Sequence, residues 1–221
     1  MIDYKLIKSK RKTITIILNY NGEVIVKAPL KSTKNEIENF ILEKDDWIKK
    51  HLDFINKLPK FLKKKFVNNE TFLFLGENYK LKIDENSEDC FMFEFDSFII
   101  SRNQIENANI LFIDWYKKEA KKIITERCKY YSEITGYKPK SIKITSAQKR
   151  WGSCSYNNNI CFSFRLIMAP LDIIDYVVLH ELVHIDEKNH SKAFFDKLQN
   201  FMPDYLLKRK WLKENSNLLN I

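Results

Sequence analysis

Between Pro170 and His184 the chain reads Pro-Leu-Asp-Ile-Ile-Asp-Tyr-Val-Val-Leu-His-Glu-Leu-Val-His, apolar nearly all the way round a helical wheel. A helix with no polar face must be covered on every side, so the segment predicts a buried helix crossing the centre of its domain. Pro170 and Asp172 mark its start, and Asp175 sits near the positive end of its dipole. Polar groups on such a helix cost free energy unless paired or metal-bound, which singles out His180, Glu181 and His184. The two histidines, four residues apart, lie about 40° from each other and one turn displaced along the axis, so their imidazoles can reach one metal ion. Glu181 lies about 100° from His180, beside the pair, where it can hydrogen-bond a metal-bound water without becoming a ligand.

Zinc takes histidine nitrogens in tetrahedral geometry, and a catalytic site supplies three protein ligands and leaves the fourth position to water. His190, ten residues after His180, has the separation of the third ligand in the long zinc motif His-Glu-x-x-His-x-x-Gly-x-x-His. Glu187 stands where that motif has glycine, so the turn after the helix must be made differently, with Asn189 a candidate for a left-handed residue. Glu187 is also the rival third ligand. The alternative for His190 is that it merely leads into the next helix, Ser191-Lys-Ala-Phe-Phe-Asp-Lys-Leu.

Upstream, Lys149-Arg-Trp-Gly-Ser-Cys-Ser155 connects two predicted strands, 141–145 and 159–166. Two readings stand for it. Arg150, Trp151 and Ser153 could line a substrate cleft beside the metal, with Gly152 permitting close backbone approach, or Trp151 could be core and Arg150 an internal ion-pair partner. Cys154 and Cys161 match no zinc spacing and read as free thiols, and His51 reads as a surface or boundary histidine.

The first thirty residues predict strands around an Asn21-Gly22 hairpin turn. Thr33-Lys-Asn-Glu36 is a capping-box pattern opening a helix to about Leu42, and a second helical stretch runs through Trp47 and Ile55 up to Pro59. The run from Lys60 to Lys65 reads as a solvated face or linker. Strand patterns return over 71–101, expected to be antiparallel and to complete a sheet with the first hairpin. A long helix over 103–135 follows, capped by Gly136. This organisation places a domain boundary near residue 102, with an N-terminal antiparallel β-rich domain with helices at 1–102 and a catalytic domain at 103–221.

Composition narrows the setting. No stretch approaches 18 uncharged apolar residues, and the N-terminus lacks the apolar run of a signal peptide. Four cysteines without a Cys-x-x-Cys pair favour reduced thiols, so the expectation is a cytoplasmic protein with no membrane partner. The net charge of +9 leaves a nucleic-acid partner open, although the excess lysines are scattered.

Taken together, Ser9-Lys-Arg-Lys-Thr, Arg150-Trp-Gly-Ser-Cys-Ser155, Arg165-Leu, Asp175-Tyr-Val-Val, His180-Glu-Leu-Val-His184 and His190-Ser-x-x-Phe194 with Pro203 resemble the YgjP-like metal-dependent hydrolases, zincin-type relatives of the SprT and WLM groups. The resemblance spans nearly the whole chain. It implies an α+β, zincin-like (minigluzincin-like) catalytic core with Zn2+ on His180, His184 and His190 and Glu181 as acid/base. The reaction expected is metal-assisted hydrolysis of a peptide or protein substrate, with the strand at 159–166 holding an extended chain by β-addition. Two rivals remain: a non-peptide amide or ester hydrolase, and a DNA-associated SprT-like protease or binding module.

Overall fold

The computed structural model describes residues 2–19, 22–58 and 62–221. The chain forms two compact units, Met1–Phe61 and Leu62–Ile221. In the first, strands β1 (Lys5–Ser9), β2 (Thr15–Leu18) and β3 (Val24–Pro29) form a sheet in the order β1-β3-β2. Strict alternation on β3 buries Val24, Val26 and Ala28 against Ile37 and Ile41 of helix α1 (Lys34–Glu43) and Ile48 of helix α2 (Asp45–Lys57). The predicted capping box is present in full: the Glu36 N–H donates to the Thr33 hydroxyl at 3.2 Å, and the Thr33 N–H donates to the Glu36 carboxylate at 2.8 Å. Of the expected hairpin turn, Gly22 has a positive φ of 84°, whereas Asn21 lies outside the described residues, as does Lys60 of the basic run.

The second unit opens with a four-stranded sheet of β4 (Thr71–Phe74), β5 (Glu77–Asp84), β6 (Phe91–Glu94) and β7 (Ser97–Ser101), in the order β4-β5-β7-β6. Three expectations need correction here. These strands do not complete a sheet with the first hairpin. Nor is the pairing wholly antiparallel, because β5 runs parallel to β7, as β1 does to β3. The compact units also divide at 61/62 rather than near 102. The physical reason is the long helix α3 (Ala108–Thr135), which buries Ala108, Phe112, Tyr116, Ala120, Ile124 and Cys128 along one stripe. Phe72 stacks on Phe112 with ring centroids 4.1 Å apart, Phe98 lies 4.8 Å from the same ring, and the Tyr116 hydroxyl donates to the Leu73 carbonyl at 2.7 Å. A cut at residue 102 would run through that core. As expected, α3 ends on Gly136, which is left-handed with φ 76°.

A three-stranded sheet follows, formed by β8 (Ser141–Thr145), β9 (Gly152–Cys154) and β10 (Asn159–Ser163) in the order β8-β10-β9. The predicted strand at 159–166 stops at Ser163, and a tight 3-10 turn, Phe164–Met168, leads into helix α4 (Leu171–Val183). The start of α4 is pinned by the β4–β5 hairpin. Its turn residues Leu75 and Gly76 both have positive φ, the combination of a type I′ turn, and their N–H groups donate to the Ile167 and Met168 carbonyls at 2.9 and 3.1 Å. A Cβ on Gly76 would lie 2.8 Å from the Pro170 ring, so this contact requires glycine. Helix α4 is buried along nearly its whole length, as its composition demands. Helices α5 (Lys192–Phe201) and α6 (Tyr205–Asn215) close the unit. Among the described residues no helix is long and apolar enough to cross a membrane.

Candidate metal centre

Helix α4 is anchored from below by a bidentate ion pair, in which the Arg127 guanidinium of α3 donates to the Asp175 carboxylate at 2.5 and 2.7 Å. Asp175 thus serves the packing of α4 more directly than its dipole. One turn and more beyond it, His180 and His184 project from the same face. After α4 the chain turns without any left-handed residue; the expected left-handed Asn189 is not found, and its side-chain oxygen instead accepts the Ser191 N–H at 3.1 Å. The Ser191 hydroxyl then caps α5 by accepting the Phe194 N–H at 3.3 Å. This turn delivers His190 to the other two histidines. The His190 Nε2 lies 3.0 Å from the His180 Nε2 and 3.2 Å from the His184 Nε2. Among the described residues this trio is the cluster able to hold a metal ion.

Several neighbours prepare the trio. The His184 Nδ1 lies 2.8 Å from the Glu187 carbonyl, which can only accept, so Nδ1 carries the proton and Nε2 keeps its lone pair free. The carboxylates of Glu187, the rival ligand, and of Asp186 both pair with Lys197, at 2.7 and 2.5 Å. The Phe194 ring lies 4.5 to 4.9 Å from all three imidazoles and forms their apolar floor. Burial, with the neighbouring imidazoles and Arg209 adding to it, pushes the His180 pKa down to about 3, so this ring is neutral and able to donate its lone pair at ordinary pH.

Glu181 is 5% exposed, and its Oε2 has no hydrogen-bond partner among the described residues. Burial raises its pKa to about 8, against the opposing pull of the Arg150 charge. The carboxyl lies against Gly152 so closely that a Cβ there would meet Oε1 at 2.5 Å. His180 and Glu181 line a cleft of about 200 Å³ whose walls also include Trp151, Gly152, Tyr176, Val177 and Leu212.

The structure sorts the 149–155 segment residue by residue. Trp151 is both core and cleft wall. Arg150 is exposed and pairs with no carboxylate among the described residues, so the ion-pair reading fails; it reaches Glu181 only as a nearby charge. Ser153 does not line the cleft. Strand alternation turns its side chain to the face opposite the one on which Gly152 meets Glu181. The 146–151 loop is held down by the Ser163 hydroxyl, which donates to the Ala147 carbonyl at 2.7 Å, and by Arg165, which donates to the Ser146 carbonyl at 3.2 Å. Cys154 and Cys161, opposite Ile160 and Ser153 respectively, face opposite sides of the sheet and cannot share an ion. All four cysteines are free thiols. His51 belongs to the other compact unit, where its Nδ1 lies 2.8 Å from the Trp47 carbonyl.

Residues 12–215 match the family described as YgjP-like, metallopeptidase domain. The chain belongs to the YgjP-like metallopeptidase family. Membership places it among metal-dependent hydrolases. No curated protein and no solved structure matches the chain. Tyr176 and Leu212 were missed in the sequence. Tyr176 carried a signal, since it lies four residues before His180 on the same helical face; Leu212, on a helix about thirty residues further on, carried none.

Proposed function

We propose that this YgjP-like chain is a zinc peptidase with a zincin-like catalytic unit, in which His180, His184 and His190 hold the ion and Glu181 is the general base. The observation that carries the reading is the convergence of three imidazole nitrogens beside a buried, unpartnered carboxyl oxygen. The donor set fits zinc: ligand nitrogens at roughly 2.0–2.1 Å from a tetrahedral ion stand about 3.3 Å apart, close to the 3.0 and 3.2 Å separations found here. Zinc in such a site supplies Lewis acidity toward a carbonyl and toward water.

The chain's own residues supply the rest. Glu181 takes a proton from the attacking water and returns it to the leaving amine, and Arg150 favours the ionised state that can accept it. Trp151 and Val177 exclude bulk water from one side. A peptide is favoured over a small amide by the edge strand β9. The expected role of 159–166 in β-addition is not available to β10, which is paired on both sides by β8 and β9. On either side of β9 the Trp151 carbonyl accepts from the Ser163 N–H and the Ser155 N–H donates to the Asn159 carbonyl, each at 2.9 Å. The alternate residues Gly152 and Cys154 therefore direct their N–H and C=O groups to the free edge, where an extended chain can pair beside Glu181.

Metal analysis and hydrolysis of casein, small amides and small esters, run side by side, test the reading. One zinc per chain is expected, with casein cleavage abolished by chelation and restored by zinc. Cleavage of small esters or amides without any cleavage of casein or peptides would move the assignment to a non-peptide hydrolase.

A further inference from the structure

The cleft beside Glu181 holds more space than a water and a carbonyl need, and its walls are apolar. Three parts of the fold bound it: α4 supplies Tyr176 and Val177, the chain entering β9 supplies Trp151 and Gly152, and α6 supplies Leu212. Helical spacing sets the first pair against the chemistry, because Tyr176 lies four residues before His180 and Val177 four before Glu181. The Tyr176 ring stands edge-on to the His180 imidazole, with ring centroids 5.9 Å apart. Apolar walls thus begin where the reacting groups end.

These walls are fixed before any substrate arrives. Val177, Tyr176 and Leu212 are 4, 6 and 7% exposed and belong to the main core, and Trp151 packs against it. Of the residues lining the cleft, only His180, Glu181 and Tyr176 can ionise, and burial raises the pKa of the Tyr176 phenol. The volume is about 200 Å³, whereas an apolar cavity of about 150 Å³ is enough to hold a benzene ring. One leucine or phenylalanine side chain therefore fits.

We propose that this cleft is a side-chain subsite, and that the peptidase selects substrates with a leucine- or phenylalanine-sized apolar residue next to the scissile bond. The inference rests on the peptidase reading and names its substrate class, with Leu212 and Val177 as specificity-determining residues. A Cβ on Gly152 would run into Glu181, so that face of β9 is turned toward the cleft. An extended chain paired along the free edge of β9 projects its side chains to alternate faces, and one on the Gly152 face enters the cleft. Burying such a side chain is worth about tenfold to a hundredfold in affinity. A charged side chain would instead give up its hydration against Trp151, Val177 and Leu212.

Binding and turnover read this separately. The probes are fluorescein-labelled alanine-based octapeptides in which one Leu, Phe, Trp, Glu or Lys is walked through every position. They are titrated onto the full zinc-loaded chain carrying Glu181→Gln, and their hydrolysis is followed with the wild type. At one position Leu or Phe should bind about tenfold to a hundredfold tighter than Ala, Glu or Lys, and wild-type kcat/KM should rank the peptides in the same order. Leu212→Ala, added to Glu181→Gln, should move the preference at that position toward Trp, and Leu212→Phe should move it toward Ala. If thermal melts show that Leu212→Ala does not fold, Val177→Ala opens the same cleft and should give the same shift. A merely structural role for these residues would lower all affinities together and leave the ranking alone. Equal binding of apolar and alanine peptides at every position, a preference for Glu or Lys, or a ranking that Leu212→Ala, Leu212→Phe and Val177→Ala all leave unchanged would each overturn the subsite. If the wild-type chain cleaves none of these peptides, the peptidase reading fails, and the binding ranking still decides whether the cleft selects apolar side chains.

Discussion

Gly152→Ala tests how tightly the general base is placed. The added Cβ would lie 2.5 Å from the Glu181 Oε1, 2.6 Å from Cγ and 2.7 Å from Cδ. Heavy atoms pack comfortably at about 3.5–4.0 Å, so the carboxyl would have to withdraw by about 1 Å. The contact includes Cγ and Cδ as well as the tip of the side chain, and Glu181 is buried, so a simple swing of the carboxylate does not relieve it. Overpacking of this kind costs about 1–3 kcal/mol, and each kcal/mol lowers Tm by about 2–4 °C in a chain of this size. Displacing a catalytic group by about 1 Å can cost about 10²-fold in rate. The expected variant is folded, binds zinc as the wild type does, melts a few degrees lower and cleaves peptides about 10²-fold more slowly. Steady-state kinetics with zinc titration and thermal melts read all three. Wild-type turnover with intact zinc would refute the placement of Glu181 against β9.

Three further outcomes follow from the same geometry. His190→Ala should weaken zinc binding nearly as much as His184→Ala, whereas Glu187→Gln should not, because the Glu187 side chain is paired with Lys197 and only its backbone touches the site; competition with a chromophoric chelator measures all three. A chain starting at Leu62 should fold and bind zinc, while one starting at Asn103 should not fold, having lost Phe72, Leu81 and Phe98 from the core around Phe112; circular dichroism and zinc content decide it. Burial pushes the Cys128 thiol up to about 12, so at pH 8 in the native state iodoacetamide should label Cys128 far more slowly than the three partly exposed cysteines, as read by mass spectrometry.

The parts of the fold legible from the sequence were those set by local chemistry. The apolar wheel of 170–184, the Thr33–Glu36 capping box and the glycine stop at 136 are each decided within a few residues, and each appears as expected. Strand partners were not legible. Alternation tells which residues share a face but not which strand lies alongside, so the parallel pairs β1–β3 and β5–β7 and the separate sheets could not be read. The misplaced boundary has the same origin, because Phe72 and Phe98 meet Phe112 only through tertiary packing. At the site, spacing named His180, Glu181 and His184 but left His190 and Glu187 as rivals. The proposal of His190 over Glu187 leans on the pairing of the Glu187 carboxylate with Lys197, which no local pattern announces. That Ser153 faces away from the Gly152–Glu181 contact was not legible, because its facing depends on the register with β10.

The central claim is that three histidines hold a metal while Glu181 moves the proton, and Glu181→Gln separates the two roles. Glutamine nearly matches glutamate in size and can hydrogen-bond water, but it cannot accept a proton at neutral pH. Zinc content and peptide hydrolysis of the variant should be measured in one preparation beside the wild type. The account predicts one zinc per chain in both and a loss of hydrolysis of at least about 10²–10⁴-fold in the variant. Loss of zinc, or undiminished hydrolysis with zinc retained, would contradict it.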